Sequence, residues 1–483
     1  MRILFIVENG IQESLAIATL ASSIRQYNHE TDMVLFSHTP NLYDYIQQTK
    51  PDIIGFSIIT GSHKFAYELG RKIRVSTGIP IIAGGPHATF YSQHLADSGT
   101  FDYICRGEGE EPLSNLLNNL EDGKSGHRIP GIWANQDNVW YKNDVGPTVE
   151  NLDARPIPDR SLFFKYKFLR NMTLKRFVTG VGCPYPCTFC HSINFMRETS
   201  GKGKFMRSKS PEYMICEIKS VQKLAPLRNI HFSDDTFGLN IEWLEEFVNL
   251  YKEEIALPFT CNARADTPFR VIELFKEGGC IGVQIGLESG SERIRRKLLK
   301  KMWLDETAVE VCHAFRKSGM KVMATNMIGI PSETLEEAWS TIELNVKCKI
   351  DYARCNVFLP HPALDLTKWA IKNGYIKEGF SLEDFSAEAL NPVVKTPFRK
   401  EFVNIANLFS LSVKHKLLRK LIKRVCHLRP NAFFNFIGSL NMFQDFFFFQ
   451  LKVMPSYHYF RNTIGSPIGF KYGAWPTDKV KKV

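Results

Sequence analysis

No uncharged apolar window in these 483 residues is long enough to cross a bilayer, and the opening stretch MRILFIVENG has only five consecutive apolar residues before Glu8. These shortfalls argue against a membrane span and a secretory leader, so the expectation is a cytoplasmic protein. Cysteine is not dense either. Eight of the eleven stand singly (Cys105, Cys216, Cys261, Cys280, Cys312, Cys348, Cys355, Cys426), which excludes the disulfide framework of a small secreted domain and suits a reducing compartment. Acidic residues are scarce at one end only: residues 401–483 hold three against thirteen Lys/Arg, and so carry +10 of the chain's net +11. The basic character is a C-terminal property.

What is present first is a rhythm. RILFIV, DIIGFSII, PIIAGG and FDYICRGEG are short apolar runs separated by helix-like stretches such as ESLAIATLASSIRQY and HKFAYELGRKIRV. Unbroken Ile/Val/Phe runs in βαβα order predict a doubly wound, Rossmann-like parallel sheet, whose ligands sit at the carboxyl ends of the strands. The loops there carry Ser57, Thr60 and Gly61, then Gly84, Gly85, Pro86 and His87, then Gly107, Glu108, Gly109 and Glu110. Small and glycine-rich, they let backbone amides approach a bulky ligand, although a Gly-Gly pair alone also fits plain turn chemistry.

From about residue 128 the periodicity fades into a Pro-, Asn- and Asp-rich connector that runs to 172. Six further strand-and-helix units follow, from LKRFVTG through NIHFSDDTFG, FTCNARAD, GCIGVQIGLESGS and VMATNMIGIPSET to YARCNVFLPHP. That count predicts a partial (β/α)6 barrel with its polar residues at the strand C-terminal ends. The expected divisions are therefore 1–140, a linker at 141–172, a barrel over 173–365 and a helical C-terminal region over 366–483.

After the first barrel strand comes GVGCPYPCTFCHS, in which Cys183, Cys187 and Cys190 form a C-x3-C-x2-C array. Three thiolates on one loop suit three irons of a [4Fe–4S] cube with the fourth iron open to a ligand. Zinc would need a fourth donor, and His191 adjoins Cys190 too closely to serve easily. Incidental free thiols are the remaining alternative.

The array, with Phe189 before its last cysteine, resembles the radical S-adenosylmethionine superfamily, as do HFSDDTFGLN, GLESGSE and MIGIPSETLEE. Upstream, GFSIITGSHKFAYEL, PIIAGGPHATFYSQHL and FDYICRGEGEEPLSNLL resemble the cobalamin-binding domain fused to one branch of these enzymes; together the resemblance covers about residues 1–365. It implies a [4Fe–4S] cluster on Cys183, Cys187 and Cys190, S-adenosylmethionine, cobalamin, and a reductant such as flavodoxin or ferredoxin. The implied chemistry is reductive cleavage to a 5′-deoxyadenosyl radical, hydrogen abstraction from an unactivated carbon, and C-methylation from methylcobalamin by the methyltransferase-like branch. The alternative is a non-methylating cyclisation, rearrangement or oxidation with the same cofactors.

One departure is informative. The string D-x-H-x-x-G, which supplies a histidine to cobalt, is missing, and the loop after the first strand reads VENGIQES. Cobalamin is therefore expected base-off, without His63 or His87 as a ligand. Around S-adenosylmethionine the expected contacts are Glu288 on ribose hydroxyls, Asp234 and Asp235 facing its amine or the substrate, and Arg264 balancing its carboxylate. Capping carboxylates and a surface salt bridge are the plainer alternatives. Cys261, Cys280 and Cys355 read as small apolar core residues.

The C-terminal region has two readings. KHKLLRKLIKRVCHLRP is basic and apolar at helical spacing, and residues 431–454 hold eight phenylalanines. Either the phenylalanines close the open side of the barrel as a helical cap, or residues 401–483 meet an anionic membrane or a lipid-like substrate. No nucleic-acid partner is expected: a tRNA methylthiotransferase would need a second cysteine trio, and the N-terminal domain has only Cys105. A non-enzymatic sensor would need neither an open iron nor a barrel.

Overall fold

The first strand, β1 (Arg2–Val7), is buried along its centre because both faces are covered, as its unbroken apolar run requires. Around it a seven-stranded sheet is ordered β2-β1-β3-β4-β5-β6-β7, with β2 Glu30–Leu35, β3 Ile53–Ser57, β4 Ile81–Gly84, β5 Tyr103–Cys105, β6 Ile132–Gln136 and β7 Val139–Lys142. The first five are parallel, and β6 and β7 add antiparallel. This computed structural model describes residues 1–8, 10, 12–384 and 393–440.

The hairpin β6–β7 lies within the stretch from about 128 that reads as connector, and crosses the expected boundary at 140. Its turn is Asp137-Asn138, both in the left-handed region (φ 50 and 65), a conformation whose twist suits a two-residue hairpin. The alternation around it is short and largely solvent-exposed, which is why it reads as loop.

A second sheet, all parallel, is ordered β15-β14-β13-β12-β11-β8 and forms the six-stranded partial barrel. Its members are β8 Leu174–Phe177, β11 Asn229–Phe232, β12 Phe259–Ala263, β13 Cys280–Glu288, β14 Lys321–Ile328 and β15 Tyr352–Val357. Helices on its outer face follow ordinary cap chemistry: Ser210 caps Pro211–Leu224 with Pro in the first turn, and Thr334 with Glu337 closes a capping box on Leu335–Lys347. A short antiparallel ribbon, β9 (Gly180–Val181) with β10 (Arg207–Ser208), flanks the cysteine loop.

The helix Arg399–Lys414 packs on β15 and on Leu335–Lys347 with Phe402, Ile405 and Phe409 fully buried, so it closes the barrel edge. The following helices, Lys416–Val425 and Ala432–Leu440, are mostly exposed. The cap reading therefore fits Phe402 and Phe409 but not Phe433 and Phe436, which face solvent. The remaining phenylalanines of 441–483 lie outside the described residues.

Sheet and barrel are tied by buried charge. Arg160 is fully buried, donates to Glu13 at 2.9 Å and to Glu217 at 3.1 Å, and lies 4.3 Å over the Phe177 ring. Lys175 pairs with Glu13 at 3.0 Å and Lys209 with Glu217 at 2.6 Å. Glu13 follows β1, Lys175 lies on β8 and Glu217 on the helix Pro211–Leu224, so one network spans both sheets.

Candidate functional site at the junction of two strand-end loops

The cysteine loop is held from below by Asp234. Its carboxylate accepts the Thr179 hydroxyl at 2.7 Å, the Thr179 N–H at 3.0 Å and the Gly180 N–H at 2.9 Å, while its carbonyl accepts from Asn262. Asp234 is thus a clamp between the end of β11 and the start of the cysteine loop, not the group facing an amine or substrate that the sequence suggests: burial near a strand end makes three protein donors its natural partners. Burial also lifts its pKa to about 6 against those three donors.

Within the loop, the Cys190 N–H donates to the Cys187 carbonyl at 3.1 Å, and Cys190 caps the helix His191–Glu198 by accepting the Ser192 N–H at 3.4 Å. Desolvation raises all three thiols, that of Cys190 to about 11. Each thiol's proton affinity also responds to another cysteine of the trio or to the nearby charges of Asp235, Arg264 and Lys301. Among the described residues no group of three His, Cys, Asp or Glu is gathered on a single metal ion. Three free, soft thiol donors on one capped loop fit the three-point attachment of a [4Fe–4S] cube, whose positive irons would draw off the thiol protons.

Around the cysteines the predicted residues take up distinct positions. Asp235 is exposed and accepts the Ser192 hydroxyl at 3.2 Å, on the cysteine side of the loop. Arg264 lies 3.3 Å over the Tyr185 ring between two cysteines in sequence, but donates two bonds, 2.8 and 2.9 Å, to Asp266. The salt bridge given as the plainer alternative is therefore present, and it holds the guanidinium beside the loop. Glu288 is buried at the end of β13, where the register with β14 shifts, and sits in the left-handed region at φ 65. A non-glycine residue held there stores strain of order 1 kcal/mol, of the kind concentrated at functional sites.

Lys301 fixes Glu288 in place. Its ammonium reaches the Glu288 carboxylate at 3.2 Å and the Gly286 carbonyl at 2.7 Å, and lies 5.7 Å over the Phe189 ring. A Cβ on Gly286 would stand 2.3 Å from Glu288 Oε1 and 2.7 Å from Lys301 Nζ, so a side chain there would displace this pair. Sequence reasoning missed Lys301, Tyr185, Thr179 and Asn262; one lysine in RRKLLKKMW has no local mark that separates it from its neighbours.

On the first sheet, Ser57, Gly84 and their following loops meet at the carboxyl ends of β3 and β4. The Ile58 N–H donates to the Gly84 carbonyl at 2.8 Å and the His87 N–H to the Ile58 carbonyl at 3.0 Å. Gly85 has φ 91, and a Cβ there would stand 2.9 Å from that Ile58 carbonyl. Pro86 opens the short helix Pro86–Phe90, and the Gly107 N–H donates to Thr89 at 3.0 Å. Gly61 donates its N–H to His63 Nδ1 at 3.2 Å, while His63 Nε2 is buried without a partner.

His87 is fully buried and both its ring nitrogens are engaged, Nδ1 with the Thr60 hydroxyl and Nε2 with the Tyr67 hydroxyl, each at 3.1 Å. Glu8, after β1, is raised to about 7 by burial. Backbone-lined loops, an orphan buried imidazole nitrogen and a desolvated carboxyl fit a large, amide-rich ligand such as cobalamin.

Glu108 and Glu110 behave differently from expectation. Glu108 accepts from Arg207 and, at 2.7 Å, from Arg155, which hold its carboxyl below the usual range against desolvation; Glu110 pairs with Arg155 at 3.1 Å. Their carboxylates are engaged in joining β5's loop to the connector and β10. Arginines 47 and 99 residues away in sequence leave no local sign of this. Gly109 packs on Leu20 and Cys105, where a Cβ would stand 3.2 and 3.4 Å away.

The two loop systems meet. Phe90 stacks on His191 with ring centroids 4.8 Å apart and planes 22° from parallel, and His361 meets His191 edge-on at 5.2 Å. Tyr91 accepts the Ala363 N–H at 3.2 Å, and Arg106 pairs with Glu198 at 2.8 Å.

Comparison with known proteins agrees with this layout. Residues 1–117 match the B12 binding domain and residues 177–344 the radical SAM superfamily. The chain is 28% identical to an uncharacterized methyltransferase of Pyrococcus horikoshii, over 75% of this chain and 79% of that one. It is 25% identical to the anaerobic magnesium-protoporphyrin IX monomethyl ester cyclase of Rubrivivax gelatinosus, over 83% and 74% respectively. In fold it resembles the cobalamin-dependent S-adenosylmethionine radical enzyme OxsB, solved with aqua-cobalamin and S-adenosylmethionine bound, at TM-score 0.70 and 15% identity over 100% of this chain and 78% of that one. A B12 binding domain followed by a radical SAM barrel, with the cysteine trio on the loop between β8 and the helix His191–Glu198, places this chain in the cobalamin-dependent radical S-adenosylmethionine family, whose cofactors are a [4Fe–4S] cluster, S-adenosylmethionine and cobalamin.

Proposed function

We propose that this chain is a C-methyltransferase that acts on an unactivated carbon of a small or lipid-like molecule. When bound, the cluster and S-adenosylmethionine supply a hydrogen-abstracting 5′-deoxyadenosyl radical, and cobalamin supplies the methyl group. The protein's part is placement. Cys183, Cys187 and Cys190 hold the cluster, Asp234 sets the height of their loop, and Glu288 with Lys301 presents a fixed carboxylate toward a ribose. Asp235 and Arg264 flank the loop for the amine and carboxylate of methionine.

The observation that carries this reading is the Phe90–His191 stack, which sets the segment after β4 beside the cysteine loop. A methyl donor and a radical generator that act on one carbon must lie side by side in this way. For cobalamin we infer base-off binding through backbone and polar groups of residues 57–63, 84–89 and 107–110, supported by the missing D-x-H-x-x-G string and by the engagement of both His87 nitrogens. We infer functional units over 1–140, 173–365 and 366–483, with 141–172 joining the first two, although β7 carries the first sheet on to Lys142. For the C-terminal unit we infer peripheral membrane contact, supported by its net positive charge. No described helix is long and apolar enough to cross a membrane.

A non-methylating cyclisation or oxidation is the second reading, favoured by the similarity to the Rubrivivax cyclase. Mass spectrometry of products from candidate substrates and S-adenosylmethionine bearing a deuterated methyl separates the two: label in product supports methylation, and an unlabelled product with altered mass supports the alternative.

A further inference from the structure

The helix Lys416–Val425 turns its leucines away from the protein. Leu417, Leu421 and Leu428 are 81%, 54% and 54% exposed; at helical spacing 417 and 421 share one arc, and 428 lies in the turn just beyond the helix. Ile422 and Cys426, on the opposite side, are the buried contacts. Lys416, Lys420 and Arg424 run along one edge of the arc. Two other cations are already engaged: Arg419 donates to the Ser412 carbonyl at 2.7 Å, and Lys423 lies 5.5 Å over the Trp339 ring. The next helix, Ala432–Leu440, has no charged side chain and exposes Phe433 (66%) and Phe436 (61%). No acid occurs from 416 to 440.

An apolar arc without an acid of its own, rimmed by cations that have no ion pair among the described residues, is complementary to an anionic headgroup layer over acyl chains. We propose that Lys416–Val425 and Ala432–Leu440 are the surface by which this protein docks on an anionic bilayer, with Leu417, Leu421, Phe433 and Phe436 entering the headgroup–acyl boundary. This rests on the reading of peripheral membrane contact, not on the methyl-transfer reading, and its test needs no turnover.

The test is flotation of the full chain with phosphatidylcholine vesicles and with vesicles that also contain phosphatidylglycerol, at low and high salt. Two triple variants accompany it, Lys416→Gln/Lys420→Gln/Arg424→Gln and Leu417→Ser/Leu421→Ser/Phe436→Ser. Arg419 and Lys423 stay because they hold the helix to its neighbours, and iron content checks that each variant is folded. Wild type should bind the anionic vesicles. Each cation near such a surface is worth roughly a fivefold change, so the charge variant should bind about a hundredfold more weakly at low salt. The apolar variant should lose the binding that survives high salt, where screening is strongest. Absence of wild-type binding to anionic vesicles, or equal binding by all three proteins, overturns the proposal. So does hydrogen-exchange protection of 416–428 without vesicles that disappears when 441–483 are deleted, because the chain's own end would then cover the arc.

Discussion

Phe90 and His191 stack across the boundary between the first sheet and the barrel, with one ring four residues beyond Pro86 and the other next to Cys190. A ring pair of this kind is worth about 1 kcal/mol, too little to hold two domains together, but it is specific in geometry. The holding force lies elsewhere, in the buried Glu13–Arg160–Glu217 network and in the arginines on Glu108.

Replacement of Cys183, Cys187 and Cys190 by Ala should abolish cluster assembly, whereas Cys105→Ala, a buried thiol beside Gly109, should leave it intact. Anaerobic reconstitution followed by iron and sulfide analysis should give about four of each per wild-type chain. About eight irons, or iron retained by the triple variant, would disprove the single site.

Asp234→Ala should loosen the cysteine loop by leaving the Thr179 and Gly180 donors unpaired, at a cost of about 2 kcal/mol or more, and should lower iron retention. Asp234→Asn gives a pH test. The folded-state pKa is raised from 3.8 to about 6, so the stabilisation that comes from folding around the protonated acid is complete below pH 3.8 and lost as pH rises through about 6. The stability of wild type relative to Asp234→Asn should therefore fall across that window in denaturant titrations. A rise would contradict the assignment of burial as the dominant influence.

These two predictions differ in how far the sequence foretold them. The cysteine trio is legible because ligation depends on spacing within one loop, and the strands because buried parallel strands are apolar without interruption. Asp234 could be picked out but not assigned, since its partners Thr179 and Gly180 lie 55 and 54 residues away. Lys301 has no local mark that sets it apart from the neighbouring lysines, and the β6–β7 hairpin reads as loop because its alternation is short and exposed.

Arg160→Met should destabilise the protein by about 3–5 kcal/mol, because it leaves Glu13 and Glu217 buried with only lysine partners. Arg160→Met combined with Glu217→Leu should recover part of that loss. Chemical denaturation of wild type, Arg160→Met, Glu217→Leu and the double variant decides it, and additive losses would show that the pair does not interact across the interface.

Cob(II)alamin bound to the wild-type protein should show no nitrogen superhyperfine splitting in its electron paramagnetic resonance spectrum, and His87→Ala should leave the spectrum unchanged. His63 is the sharper control, because its Nε2 is buried without a partner. Splitting that His63→Ala removes would make that histidine an axial ligand and refute base-off binding without protein nitrogen.

The central claim is that S-adenosylmethionine serves this protein both as radical source and as methyl source for cobalamin. The measurement is mass spectrometry of the cobalamin and nucleosides recovered after anaerobic incubation of the reconstituted protein with trideuteriomethyl S-adenosylmethionine and a low-potential reductant. Methylation by this route predicts cobalamin carrying the labelled methyl together with 5′-deoxyadenosine, the 5′-deoxyadenosine being lost in the cysteine triple variant. 5′-Deoxyadenosine without label on cobalamin would contradict methyl transfer and leave the non-methylating chemistry.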